Sequence, residues 1–349
     1  MSNTFSKIEL SILERFFDDF PQGGKLLILT HDHPDPDSIS SAAALAHIAQ
    51  VLGKAKTTIA YGGIIGRAEN AHMVKYLKLK LIPVDKVKFS KYDKIAMCDT
   101  QPTTGNNALP DGIVPDLVID HHPKIKATKD VPYVDIRLDY GATASILCEY
   151  LDKFDLQIDQ SLATALLYGI KSETQDLGRE AYAVDIESYL KLFPLANKKL
   201  LSKIVNPRVS GQYFKDLVHA LQKAHWVGSA LVSHLSDVDS PDIVPEVADL
   251  ILRAEGCSWA LCTGQYQGNL HCSIRTTNVR KDAGKLMKAL MKSFGGTGGG
   301  HLLIAGGKIS VPDKEAWQVH ELQQQLEEKF LKRIKKHDQS QSKLIEQDL

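Results

Sequence analysis

The chain has 349 residues, 43% of them hydrophobic and 24% charged, a balance that supports two domains with real cores and argues against disorder except at the C-terminal end. Its 42 basic and 42 acidic side chains cancel, so no global positive field draws in long duplex nucleic acid. No apolar run approaches the ~20 residues of a membrane span, and the five cysteines, without C-x-x-C spacing, read as buried free thiols of a cytoplasmic protein.

The first 17 residues alternate charge with hydrophobe as an amphipathic helix does. Leu26, Leu27, Ile28 and Leu29 read as a fully buried strand, because four consecutive apolar residues are too many for a half-exposed strand and too few for a helix. His31, Asp32, His33, Asp35 and Asp37 follow at once, with Pro34 and Pro36 keeping the backbone extended. A helix is expected to start near Ser38, capped by Asp37 or Ser38, with Ile39, Ala42, Ala43, Leu45 and Ala46 on its apolar face. Residues 57–60 predict a second strand, whereas 75–84 give no clear pattern. Residues 94–98 and 117–119 predict two more strands, the first ending at Asp99 and the second at Asp120, His121 and His122. Three buried strands thus stop at acids or histidines. Their alternation with helices predicts an α/β domain with a doubly wound, mainly parallel sheet and one active edge. Residues 141–151 and 161–171 read as helices, the second running into Ser172, Glu173 and Asp176.

From 187 to 220 the pattern is helical and more polar, with breaks at Pro194 and Pro207. This predicts a connector over 196–224 between a first domain at 1–195 and a second at 225–336. In the second, 226–233 alternate like a strand, 244–254 form a helix, and 259–266 pair with 269–276 across Gln267 and Gly268 as a hairpin. On the second arm Leu270, Cys272 and Ile274 share one face, and His271, Ser273 and Arg275 the other. Ala283, Leu286, Met287, Leu290, Met291 and Phe294 recur at helical spacing. The glycine-rich stretch 295–301 then reads as a turn, a last helix covers 313–336, and a tail at 337–349 is expected to fray. The second domain is a smaller α/β unit, and an active-site cleft is expected between the two.

Acids packed as closely as those of 31–37 repel one another, and burying them unpaired is expensive. A multivalent cation resolves the conflict, and imidazoles with carboxylates but no thiolate suit manganese, iron or zinc better than calcium. The strand-end residues His31, Asp35, Asp37, Asp99, Asp120, His121 and His122, with Glu173 or Asp176 after a helix, are too many for one ion. Two divalent ions roughly 4 Å apart share a carboxylate and activate water, and the substrate suited to them is a phosphate ester. In the 295–301 stretch, glycines let backbone N–H groups approach an anion, and His301 with Arg275 can clamp a phosphate or a base edge. Thr143 and Ser145 fit a helix start and a place beside the centre equally well. The basic helix end at Lys329, Lys332, Arg333, Lys335 and Lys336 reads as a solvated face.

The H-x-x-x-D-x-D of His31, Asp35 and Asp37, the strand-end Asp99, and the triplet Asp120-His121-His122 resemble the first three motifs of the DHH phosphoesterase family, in order. Gly169-Ile170-Lys171-Ser172-Glu173-Thr174 resembles its fourth. The glycine-rich stretch, with Arg275 upstream, resembles the DHH-associated C-terminal domain of the nanoRNase branch, and the likeness spans residues 20–310. It implies two manganese ions (Mn2+), with Mg2+ or Co2+ as substitutes. His31, Asp35 and Asp99 would bind one; Asp37, Asp99, His121 and Glu173 would bind the other, with Asp99 bridging. Asp120 would orient a ligand histidine, and His122 would contact the phosphate or stabilise developing charge. Arg275, Gly298, Gly299, Gly300 and His301 would bind substrate. Where the family usually has aspartate this chain has Glu173, which leaves Asp176 as the competing ligand. The implied activity is hydrolysis of short single-stranded oligoribonucleotides or dinucleotides to mononucleotides. The alternatives are a 3′-phosphoadenosine 5′-phosphate phosphatase, a cyclic-dinucleotide phosphodiesterase and, from another class, a nucleotide-binding sensor with weakened catalysis. A homodimer is compatible with the chain.

Overall fold

The apolar run at 26–29 forms β1 (Lys25–Leu29), its last four residues buried, in a computed structural model that describes residues 7–300, 302–336 and 339–345. Before it comes α1 (Lys7–Asp18) and after it α2 (Pro36–Leu52). The second helix opens two residues earlier than its apolar face predicts. Proline's fixed φ suits the first helical position, and Asp35, not Asp37 or Ser38, is the N-cap, accepting from the Ser38 amide at 2.9 Å. Asp37 is thereby moved into the first turn, where its carboxylate points away from the cap.

The chain continues through β2 (Lys56–Tyr61), α3 (Ala68–Tyr76), β3 (Leu81–Pro83), β4 (Lys94–Cys98), β5 (Leu117–Asp120) and β6 (Tyr133–Ile136). Among the described residues these strands form one sheet in the order β3-β2-β1-β4-β5-β6, every neighbouring pair parallel. Leu26, Ile28, Ala96, Leu117 and Ile119 face a helical layer built from α1, α2, α4 (Thr143–Lys153) and α5 (Gln160–Glu173). Leu27, Leu29, Met97 and Val118 pack on the opposite side beneath Ile82, Phe89, Tyr92 and Leu109. With both faces covered, the central strands need the continuous apolar runs that identify them. The helices α6 (Ala183–Leu195) and α7 (Lys198–Val205) complete this unit; Pro194, expected as a break, sits inside the last turn of α6.

The chain divides into two compact units between Arg208 and Val209, within the stretch expected to connect two domains. The second unit runs α8 (Gly211–Lys223), β7 (His225–Val227), β8 (Ala230–Asp237), α9 (Ile243–Ile251), β9 (Trp259–Tyr266), β10 (Asn269–Thr276), α10 (Ala283–Lys292), β11 (Thr297–Gly300), β12 (Ile304–Ser310), α11 (Ala316–Ile334) and β13 (Gln341–Lys343). Its described strands form a mixed sheet, β11-β12-β10-β9-β8-β7-β13, with β8 and β9 parallel and the other pairs antiparallel. The expected single strand at 226–233 is instead a hairpin, turned at Gly228 with φ 61°. The glycine-rich stretch begins in a turn at Gly295, with φ 69°, and continues as an edge strand over Thr297–Gly300, where only a turn is expected. A Cβ at Gly298 would lie 2.7 Å from Met291 Cγ, so the small residue lets β11 lie close on α10. The tail is not wholly frayed, because Gln341–Lys343 pairs with β7.

Candidate metal centre

In the first unit the strand order reverses between β1 and β4, and a parallel sheet places its ligand site outside the carboxyl ends of strands at such a point. The residues leaving those strands meet there. Asp99 follows β4 with φ 60°, a left-handed conformation costing about 1–2 kcal/mol that aspartate tolerates better than most residues. Its carboxylate is 4% exposed, with Oδ2 3.7 Å from His31 Nε2 and Oδ1 3.6 Å from both His121 Nε2 and His122 Nδ1. His31 Nε2 lies 3.5 Å from Asp35 Oδ1. Two potential ligand sets therefore share Asp99: His31, Asp35 and Asp99, and Asp99, His121 and His122.

The imidazoles are oriented by main-chain carbonyls. His31 Nδ1 faces the Asp32 carbonyl at 2.8 Å, and His121 Nδ1 faces that of Tyr140 at 3.2 Å. A carbonyl only accepts, so each Nδ1 carries a proton and turns Nε2 towards Asp99. For His121, burial and then the neighbouring His122 lower the pKa to about 4. Its neutral ring presents a bare lone pair at Nε2, which is buried and has no hydrogen-bond partner among the described residues. A cation satisfies such an atom.

The carboxylates give the same answer. Burial, then Glu173 and Asp35, push Asp37 well above the ordinary carboxylate range; burial, then Asp37 and Asp35, do the same to Asp99. Glu173 is raised to about 7 by burial and Asp35. Burial opposes the charge on His31, but Asp35, the Asp32 carbonyl and Glu173 together raise it to about 9, and that imidazolium in turn holds Asp35 down against its own burial. Two raised imidazoles, His31 and His122, do not balance five crowded acids, Asp35, Asp37, Asp99, Asp120 and Glu173. A divalent ion supplies the balance, and the donor set of carboxylate oxygens and imidazole nitrogens fits one.

Asp37 lies outside both ligand sets. Its two oxygens accept the Thr143 and Ala144 amides at 2.8 Å each, so it caps the N-terminus of α4. Thr143 serves both roles open to it, starting that helix and donating its hydroxyl to Asp99 Oδ1 at 2.9 Å. Glu173 ends α5 half-buried and within electrostatic reach of Asp35 and Asp37; Asp176 is exposed and pairs with Lys171. Asp120 binds His122 rather than His121, at 2.8 Å to Nδ1 and 3.1 Å to the amide. The mutual attraction raises His122, against its burial, and lowers Asp120 against its own. Three contributors carry no motif: Gln101, which donates to Asp120 Oδ2 at 2.7 Å, the Tyr140 carbonyl, and Arg179, whose charge tempers Glu173.

In the second unit Arg275 is buried on β10, with Nε on Asp249 Oδ1 and Nη1 on Ser273 Oγ at 2.8 Å. Gly298, Gly299 and Gly300 lie on β11, Gly299 beside open space. His301 is outside the described residues.

The sequence matches the DHH family, N-terminal domain, over residues 25–170 and the DHHA1 domain over 228–332. An uncharacterized protein of Methanocaldococcus jannaschii, MJ1633, is 37% identical over 299 residues, covering 83% of this chain and 60% of that protein. The chain thus spans about three fifths of that relative's length. An exopolyphosphatase-related protein from Bacteroides fragilis has a similar fold, with TM-score 0.73 at 14% identity, covering 96% of this chain and all of that one. RecJ from Thermus thermophilus, crystallised with Mn2+, aligns with TM-score 0.56 at 15% identity over 95% of this chain and 55% of its own.

Proposed function

This chain belongs to the DHH phosphoesterase family, and on that premise we propose that it is a manganese-dependent phosphoesterase acting on short oligoribonucleotides or dinucleotides. The observation that carries the reading is the position of Asp99, one buried carboxylate common to two sets of potential ligands. His31, Asp35 and Asp99 would hold one ion. Asp99 and His121, with Asp37 and Glu173 nearby, would hold the second. Manganese suits the mixed imidazole and carboxylate donors, and the RecJ crystal complex contains Mn2+. When bound, the pair of ions neutralises phosphate oxygens and lowers the pKa of water.

The protein's own groups do the rest. His121 is held in one tautomer by Tyr140, and Thr143 fixes the rotamer of Asp99. His122 donates Nδ1–H to Asp120, and its ring, 28% exposed, would contact the phosphate or stabilise developing charge. Cancelling charge across the chain favours small anions recognised locally over long polyanions. Activity with Mn2+ on a panel tests this: a 5′-phosphorylated RNA dinucleotide, a short oligomer, a long RNA, cyclic di-AMP, 3′-phosphoadenosine 5′-phosphate and pyrophosphate. Rapid release of mononucleotides from the dinucleotide, with the long RNA left intact, is expected. Preferential cleavage of the long RNA or of pyrophosphate would overturn the substrate assignment, and no hydrolysis with any divalent ion would overturn the activity.

A further inference from the structure

Gln101 is 1% exposed, and its amide is bonded at both its nitrogen and its oxygen. The side-chain nitrogen donates to Asp120 Oδ2 at 2.7 Å, to the Pro123 carbonyl at 3.2 Å and to the His122 carbonyl at 3.4 Å. The side-chain oxygen accepts from the Ile125 amide at 3.0 Å and the Thr128 hydroxyl at 2.7 Å. Because Ile125 N–H and Thr128 O–H can both donate to it, the oxygen end of the amide is fixed, and the nitrogen must face Asp120. Glutamine is the one side chain of this length that donates at one atom and accepts at the next. Glutamate in its place would set a second carboxylate against Asp120, and methionine would fill the space but make none of the five bonds.

The consequence falls on His122. Asp120 has two oxygens. Oδ2 is held by Gln101, which presents Oδ1 to both the amide and the Nδ1 of His122. The same amide pins the carbonyls of His122 and Pro123, so the ring and the backbone that carries it are set from one point. Gln101 reaches this point from the loop after Asp99, and so ties the exits of β4 and β5 together. We infer that Gln101 is a positioning residue for hydrolysis, holding Asp120 and through it the His122 imidazole in register with Asp99. The inference rests on the phosphoesterase reading for its catalytic consequence, but its geometric half stands apart from it.

Two measurements separate those halves. In metal-free protein labelled with 15N-histidine, the Nδ1–H proton of His122, assigned by its loss in His122→Gln, is expected downfield in the wild type and displaced or exchange-broadened in Gln101→Met. An unchanged signal would overturn the inference whatever the enzyme acts on. In the hydrolysis assay, Gln101→Met is expected to lower kcat by about 10–100-fold, with KM within about 3-fold and both Mn2+ ions retained. Asp120→Asn combined with Gln101→Met should lose little beyond Asp120→Asn alone, because the two act in series. Additive losses, or a loss that follows weakened Mn2+ binding, would show that Gln101 does not act through Asp120. Should Gln101→Met fail to fold, Gln101→Glu keeps the shape and the two accepted bonds and is expected to show the same kcat loss. Wild-type kcat in Gln101→Glu would overturn the inference.

Discussion

Both units gather histidines around acids, and the two gatherings behave oppositely. In the second unit Glu327 sits between His225 and His234, with Nε2 of each at 2.8 and 2.9 Å from a different carboxylate oxygen. His234 Nδ1 is taken up by the Thr263 hydroxyl at 2.7 Å. Against its burial, these bonds lower Glu327 to about 2. At the edge of the first sheet, by contrast, the imidazoles stand 3.6 to 3.7 Å from Asp99, Asp37 and Asp99 are driven up, and His121 Nε2 has no hydrogen-bond partner among the described residues. A cluster that satisfies itself is a clamp within the fold. A cluster whose carboxylates repel one another, at the carboxyl end of a parallel sheet, is arranged for a ligand.

The comparison breaks most easily at its two central carboxylates. Asp99→Ala is expected to reduce hydrolysis by at least ~10³-fold while leaving the melting curve close to wild type, because relief of the repulsion between the Asp99 carboxylate and Asp37 and Asp35 offsets the cost of alanine at a left-handed position. Glu327→Gln is expected to do the reverse: a loss of roughly 1–3 kcal/mol by urea denaturation, with kcat unchanged. If Glu327→Gln silenced hydrolysis, or Asp99→Ala unfolded the protein, the division between clamp and site would be wrong.

Acidity distinguishes the clusters again. In the metal-free fold Glu173 is raised to about 7 and His31 to about 9, so both hold protons more tightly than in the unfolded chain. What they contribute to stability is complete below their unfolded values and is lost as pH rises through the folded ones. The thermal midpoint of chelator-treated protein should therefore fall between about pH 5 and pH 9, and saturating Mn2+ should flatten the curve. Glu327, being lowered, contributes above its unfolded value and stops contributing as pH falls towards 2. The smallest change expected is in Glu173→Asp, which shortens a ligand candidate by one methylene and should alter Mn2+ affinity by about 10-fold, read by calorimetric titration.

How much of this was legible in the sequence follows from which forces leave a mark on residue type. The strands β1, β4 and β5 were legible because burial on both faces demands unbroken apolar runs, and the acids that end them were legible because nothing structural needs them there. The hairpin of β9 and β10 appears with its predicted bounds, since Gln267 and Gly268 are both left-handed and turn it. The edge strand β11 was misread because glycine normally marks a turn; here it allows close packing on Met287 and Met291. β13 pairs through its backbone with every residue exposed, which no composition reveals. Within the site, the ligand candidates were visible as acids and histidines. The Tyr140 carbonyl that selects the His121 tautomer was not, because every residue has one. Gln101 was hidden for the opposite reason: a lone amide acquires meaning only when the loop beyond β5 folds over it.

The most direct test of the account is the number of Mn2+ ions bound per chain, counted by equilibrium titration with electron paramagnetic resonance. Because Asp99 is common to both ligand sets, the wild type should bind two ions with a spin-coupled spectrum, and Asp99→Ala should lose the coupling and at least one ion. A single uncoupled ion in the wild type, or two ions undisturbed in Asp99→Ala, would contradict a shared carboxylate at the centre.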